Sequence, residues 1–250
     1  MRRHALLLTF CLVLVVAFGP SLQAAPIQSD NPLVPAGLGV GDTFRLAFVT
    51  SNTWQDPQTT GGLDIAILNT RVNDAANASG SVLAPLGANW NILGSTLNTN
   101  ANANTATTGT DTSYPIYNLA GDIVSTGNSA LWGSDLDNPI STNEQGQAVS
   151  TRVWTGTDSN NGQRRGDWFL GDTGGGWRYF GWSDKTGGGY TDGWASNLGQ
   201  NWDNTFSYYG LSEPLDITAA AGVPEPGTVA LALLGLVGLM FWGRSRKQRA

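Results

Sequence analysis

Thr43-Phe44-Arg45-Leu46-Ala47-Phe48-Val49-Thr50 alternates along its length and is rich in β-forming side chains, which predicts a strand. Just upstream lies Gly37-Leu38-Gly39-Val40-Gly41. Phosphate-cradling glycines stand between a strand and a following helix; these precede the strand, so they read as a turn. Downstream, over residues 63–78, Ile65, Leu68, Val72 and Ala76 recur at helical spacing, and Asp64 near the start suits the helix dipole. Trp90-Asn91-Ile92-Leu93 begins a second short element. Residues 98–112 are a polar Asn/Thr/Ala stretch that predicts an exposed loop. Short strands are expected at 116–119, 152–155 and 177–180, with turns between them. One strand, one main helix and then many short strands make an α+β domain rather than a repeating βαβ sheet.

The two ends of the chain are of a different kind. Arg2 and Arg3 form a basic start, residues 5–19 an apolar stretch too short for a stable anchor, and Ser21-Leu22-Gln23-Ala24 offers a small residue for cleavage. This reads as a signal peptide cut by signal peptidase after Ala24; cleavage after Ala25 would put Pro26 just past the bond. The alternative is an uncleaved signal anchor. At the other end, Val223-Pro224-Glu225-Pro226 leads into an uncharged apolar run, residues 227–243, and then Arg244-Ser245-Arg246-Lys247-Gln248-Arg249-Ala250. Pro224 and Pro226 remove two backbone donors and bias their predecessors to extended conformations, so the chain arrives open to a protease. The run is at the short end of what spans a hydrocarbon core. The basic residues Arg244, Arg246, Lys247 and Arg249 keep the C-terminus cytoplasmic and place the body outside. An ordinary uncut anchor is the alternative.

The order of Pro-Glu-Pro motif, short apolar helix and basic end resembles the PEP-CTERM sorting tail of Gram-negative bacteria. That resemblance implies processing by an exosortase-type membrane protease, in organisms that make exopolysaccharide. The implied route is export, inner-membrane anchoring with the body in the periplasm, and then the cell surface or extracellular matrix.

Loss of both signals changes the chemistry available. The single cysteine, Cys11, and the single histidine, His4, belong to the signal peptide, so the body has neither disulfide nor His or Cys nucleophile nor the usual zinc ligands. Six of the thirteen basic residues lie in the two signals, and Glu225 is one of the nineteen acidic ones. Seven basic against eighteen acidic residues give the body a charge near −11, which disfavours nucleic acid and anionic membrane surfaces as partners. A chain with 33 glycines, 10 tryptophans and 13% charged residues suits an extracellular, loop-rich domain.

Within the body, Tyr114-Pro115-Ile116-Tyr117-Asn118-Leu119-Ala120-Gly121-Asp122 is followed by Ala130-Leu131-Trp132-Gly133-Ser134, Pro139-Ile140, Glu144-Gln145-Gly146 and Val153-Trp154-Thr155-Gly156-Thr157-Asp158. This succession, with the upstream strand and helix, resembles the endostatin-like branch of the C-type-lectin-like fold. The resulting division is a signal peptide (1–24), a leader (25–41), a C-type-lectin-like domain (42–216), a linker (217–222) and the sorting tail (223–250). The disulfides common in that fold are absent. Asn201-Trp202-Asp203-Asn204 has the residue types of the lectin calcium element in a different order, so carbohydrate binding does not transfer residue by residue; Asn201 and Asp203 remain the candidate Ca²⁺ oxygens.

Residues 154–202 hold six tryptophans and a near-repeat: Thr173-Gly174-Gly175-Gly176-Trp177 before Gly181-Trp182, and Thr186-Gly187-Gly188-Gly189-Tyr190 before Gly193-Trp194. Triple glycines mark loops. Trp177 and Tyr190, just after them, are the candidate sugar-stacking aromatics, with Trp132 and Trp154 expected in the core; the other reading makes all these rings core mass replacing the missing disulfides. Asp135, Asp137, Asp158, Asp167, Asp172, Asp184, Asp192 and Asp203 sit mostly beside Gly, Asn or Ser, where Asp serves turns. Arg164-Arg165 reads as a solvated turn. Two functional readings follow. One is a non-catalytic structural, adhesive or carbohydrate-binding surface protein associated with exopolysaccharide. The other is an extracellular polysaccharide hydrolase using paired carboxylates.

Overall fold

The computed structural model describes residues 25–60, 62–108, 114–133, 135–174, 176–188, 193–197 and 199–220. Its architecture is α+β and mostly sheet. The stretch at 43–50 forms strand Thr43–Val49 (β2), preceded by a short strand Ala25–Gln28 (β1) and followed by Trp54–Gln55 (β3). The helix over residues 63–78 is Ile65–Ala76 (α1), capped by the Asp64 side chain, which accepts the Ala66 amide at 3.0 Å. Trp90–Ile92 (β4), a helical turn Ala101–Asn104 (α2), Ile116–Asn118 (β5), Ile123–Ser125 (β6) and a second turn Asn128–Leu131 (α3) come next. The second half supplies Arg152–Trp154 (β7), Trp177–Arg178 (β8), Phe180–Trp182 (β9), Gln200–Asn201 (β10), Thr205–Ser212 (β11) and Leu215–Thr218 (β12).

Ten of these strands form one sheet with the central order β1-β12-β2-β11-β7-β9 among the described residues. The alternation of β2 separates two cores. Phe44, Leu46 and Phe48 join the cluster on the helix side with Phe206 and Tyr208 of β11, and Ala47 and Val49 join the opposite cluster with Tyr209 and Leu211. Helix α1 lays Leu68, Val72, Ala75 and Ala76 on the first face. It can lie that close because β11 has Gly210 beneath it: a Cβ there would stand 2.3 Å from Phe48 and 2.6 Å from Val72. The same helix closes the open edge of β4 with asparagines. Asn73 accepts the Trp90 amide at 3.0 Å and Asn69 accepts the Ile92 amide at 2.9 Å, which satisfies donors that a missing strand would otherwise take.

Four features differ from the sequence reading. Residues 25–41, read as a leader, supply β1, which pairs in parallel with β12 from Ala25↔Leu215 to Gln28↔Thr218, so the sheet reaches beyond 42–216 at both ends. The polar stretch at 98–112 is not wholly an exposed loop. Ala101, Thr105 and Thr107 are buried, because Thr105 donates its hydroxyl to the Ala101 carbonyl at 2.7 Å and Thr107 accepts the Trp132 indole at 2.8 Å. The strand expected at 177–180 is two: Trp177 and Arg178 pair with β10, Phe180 to Trp182 with β7. Finally, β11, the longest strand and the one that joins β2 to β7, falls in a stretch where no strand was read.

Candidate functional site

The Trp-rich half is organised around one buried cation. In a strand, consecutive side chains point to opposite faces; in β8 this turns Trp177 outward, 52% exposed, and Arg178 inward, fully buried. Arg178 donates from Nε to the Asp56 carboxylate at 2.6 Å and from Nη1 to the Trp177 carbonyl at 2.7 Å and to Asp172 at 3.5 Å. Its Nη2 donates to the Asp172 carbonyl. Asp56 also accepts the Gly171 amide on both oxygens, at 2.9 and 3.0 Å. Burial raises the Asp56 carboxyl above the usual range, opposed by the Gly171 amide and the Arg178 guanidinium. Three separated segments are thereby clamped: the loop after β3, the turn at 171–174 and β8. The Gly176 carbonyl accepts the Trp202 amide at 3.0 Å and so ties β8 to the start of the 202–205 turn.

On this clamp sits an aromatic surface. Trp168 stacks on Trp177 with ring centroids 6.2 Å apart and 27° between planes, and Tyr179 lies 5.0 Å from Trp168. Gly199 leaves room for the stack, since a Cβ there would stand 3.0 Å from Trp168 and 3.1 Å from Trp177. Arg165 lies 5.5 Å from the Tyr179 ring centre and 3.9 Å from Asp158. Burial raises the Tyr179 hydroxyl, which Arg165 opposes. Chemically, the site offers an exposed ring face that could cover the apolar C–H side of a sugar, backed by the half-buried Trp168 indole.

The aromatics expected to separate into core and surface do so where they are described. Trp132 and Trp154 are buried, and Trp177 is exposed; Tyr190 lies outside the described residues. Asn201 is exposed and pairs with Trp177, while the Asp203 carbonyl accepts the Gln55 side chain at 3.0 Å. No three His, Cys, Asp or Glu side chains converge to hold a metal ion among the described residues. Asp135, Asp158, Asp172 and Asp184 each accept from a loop amide or hydroxyl, the turn service that their neighbours imply. The arginine step is more than a solvated turn: Arg164 lies 5.4 Å from the Phe169 ring, as Arg165 does from Tyr179 at 5.5 Å. The second triple-glycine loop is stitched to the body. Gly188 donates to Asp135 at 2.8 Å, and its carbonyl accepts the Ser159 and Ser196 hydroxyls at 3.1 and 3.2 Å. Sequence reasoning missed Asp56 and Arg178 altogether.

Ala24, Pro224, Glu225, Pro226, Arg244, Arg246, Lys247 and Arg249 lie outside the described residues; among the described ones no helix is long and apolar enough to cross a membrane. Comparison with curated proteins gave no match. The family model described as the PEP-CTERM protein-sorting motif matches residues 222–247, spanning the Pro-Glu-Pro motif, the apolar run and the first three basic residues. The chain therefore carries a PEP-CTERM sorting signal, which marks an exported protein anchored through its C-terminus and processed by an exosortase.

Proposed function

We propose that the body is a non-catalytic, carbohydrate-binding or adhesive module of C-type-lectin-like fold, delivered by its tail to the cell surface or matrix and associated there with exopolysaccharide. The observation that carries this reading is the exposed Trp177 ring, stacked on Trp168 and anchored through Arg178. A half-exposed indole backed by a second aromatic ring presents a flat apolar face of the kind that stacks on sugars. A rigid ring also binds at a smaller entropic cost than a mobile one. The lectin-like fold is supported by the pairing of the first and last described strands, β1 beside β12, and by a helix packed across the first long strand. The sorting signal supplies the destination.

A glycan array probed with the 25–222 fragment, with and without Ca²⁺, tests the reading. Wild type should bind a polysaccharide class and Trp177→Ala should lose at least tenfold in affinity. The substitution removes a half-exposed ring and its stack on Trp168 but opens no interior cavity, so stability should move by about 1 kcal/mol. Failure of the wild-type fragment to bind any glycan, or equal binding by the variant, would remove Trp177 from the function. The delivery half is tested separately. Deletion of residues 223–250 should release the body from membranes, and replacing Pro224-Glu225-Pro226 by alanines should leave insertion intact but block maturation. Unchanged gel mobility of the mature form after the alanine change would contradict processing at that motif.

A further inference from the structure

Arg45 is a second buried cation, and no carboxylate contacts it. It sits on β2 among residues whose alternation sends it inward, and it is 2% exposed. Nε donates to the Ser212 carbonyl at 2.7 Å and Nη2 to the Thr105 carbonyl at 2.9 Å. Neither bond uses Nη1. Arg45 also lines a pocket of about 180 Å³ with Ala106, Tyr114 and Pro214. Glu213, whose charge acts on Arg45, turns its carboxylate to the Asn89 amide and side chain at 3.0 to 3.2 Å. Burial pulls the Arg45 guanidinium down to about 10, with Glu213 opposing, so it stays a cation at neutral pH.

Ala106, in the pocket wall, is the left-handed residue that ends α2: its φ is 51, its amide donates to the Ala103 carbonyl at 3.2 Å, and the Thr107 amide donates to the Asn102 carbonyl at 2.8 Å. A guanidinium in the interior, hydrogen-bonded only to two carbonyls and with the Glu213 carboxylate turned to Asn89, gains from an anion that contacts it directly.

We propose that the Arg45 pocket is a binding site for a small carboxylate, either free or at the end of an acidic sugar. Nη1 is the charged donor, Tyr114 and Pro214 flank the mouth, and the volume admits a group of uronic-acid size. The site shares no residue with the Trp177 surface and stands or falls apart from it.

Calorimetric titration of the exported body with sodium acetate, sodium glucuronate, sodium chloride and glucose, at matched ionic strength, tests the proposal. Both carboxylates should saturate, chloride and glucose should not, and Trp177→Ala should leave this binding unchanged. Saturation by glucuronate and not acetate also supports the site and assigns the carboxylate to a sugar. Arg45→Lys keeps the charge but loses the planar fork, so affinity should fall at least tenfold. Should Arg45→Lys not fold, Tyr114→Trp, at the pocket mouth, should give the same loss. The proposal is overturned if neither carboxylate saturates the wild-type protein, if glucose binds as well as glucuronate, or if a folded variant retains full affinity.

Discussion

Arg178→Ala is expected to cost about 3–5 kcal/mol, because it strands Asp56 as an unpaired carboxylate in the interior. Both side chains of the pair are fully buried at 2.6 Å. Asp56 cannot turn to water, and its remaining partner is the Gly171 amide. Against the roughly 5–15 kcal/mol that holds a domain together, a loss of this size empties much of the folded population. Chemical denaturation of Arg178→Ala, Asp56→Leu and the double variant Arg178→Met/Asp56→Leu separates the pair from its parts. The double variant should be less destabilised than the sum of the singles, since neither charge is left alone. Surviving Arg178→Ala protein should also lose glycan affinity, because the strand that carries Trp177 is held by that guanidinium. A cost under about 1 kcal/mol would show that the clamp is not what positions Trp177.

Trp154→Ala should be comparably damaging, about 3–5 kcal/mol, by a different route. The indole is fully buried, tilted against Phe206 at 4.2 Å between centroids, and its Nε1 donates to the Trp54 carbonyl at 2.9 Å. Alanine leaves a cavity between β7 and β11 and also frees a backbone acceptor. The comparison with Trp177→Ala is the informative one, as both remove an indole from the same half of the chain. Thermal melts of the two variants should differ widely. Equal destabilisation would place Trp177 in the core and remove the stacking surface.

The glycine constraints belong to the same packing. Gly181 of β9 would put a Cβ 1.5 Å from the Trp194 carbonyl. The triple glycines attract the eye in the sequence, yet this isolated glycine between Phe180 and Trp182 allows the tightest of the close approaches. Its neighbours give no hint of that, because the obstructing carbonyl belongs to another turn of chain.

Some of the protein was legible without its tertiary structure. The sorting tail is a linear signal, and its proline break, apolar run and basic end act one after another along the chain. Strand β2 and helix α1 show their periods of 2 and 3.6 within a dozen residues, because each has one side chain pattern set by one packed face. The outward turn of Trp177 followed from its place beside a glycine loop. Strand β11 was not legible: both its faces are buried, and Thr-Phe-Ser-Tyr-Tyr-Gly-Leu-Ser carries no alternation to mark one of them. Residues 98–107 misled for the opposite reason, since their hydroxyls are satisfied inside the fold. Asp56 and Arg178 are 122 residues apart, and nothing near either names the other. Local order along the chain encodes elements and addresses, whereas a buried charge is matched by whatever residue the folded sheet brings to it. The sequence alone therefore determined where this protein is sent and its first strand and helix; only tertiary packing decided which cations are clamped and what holds the exposed indole in place.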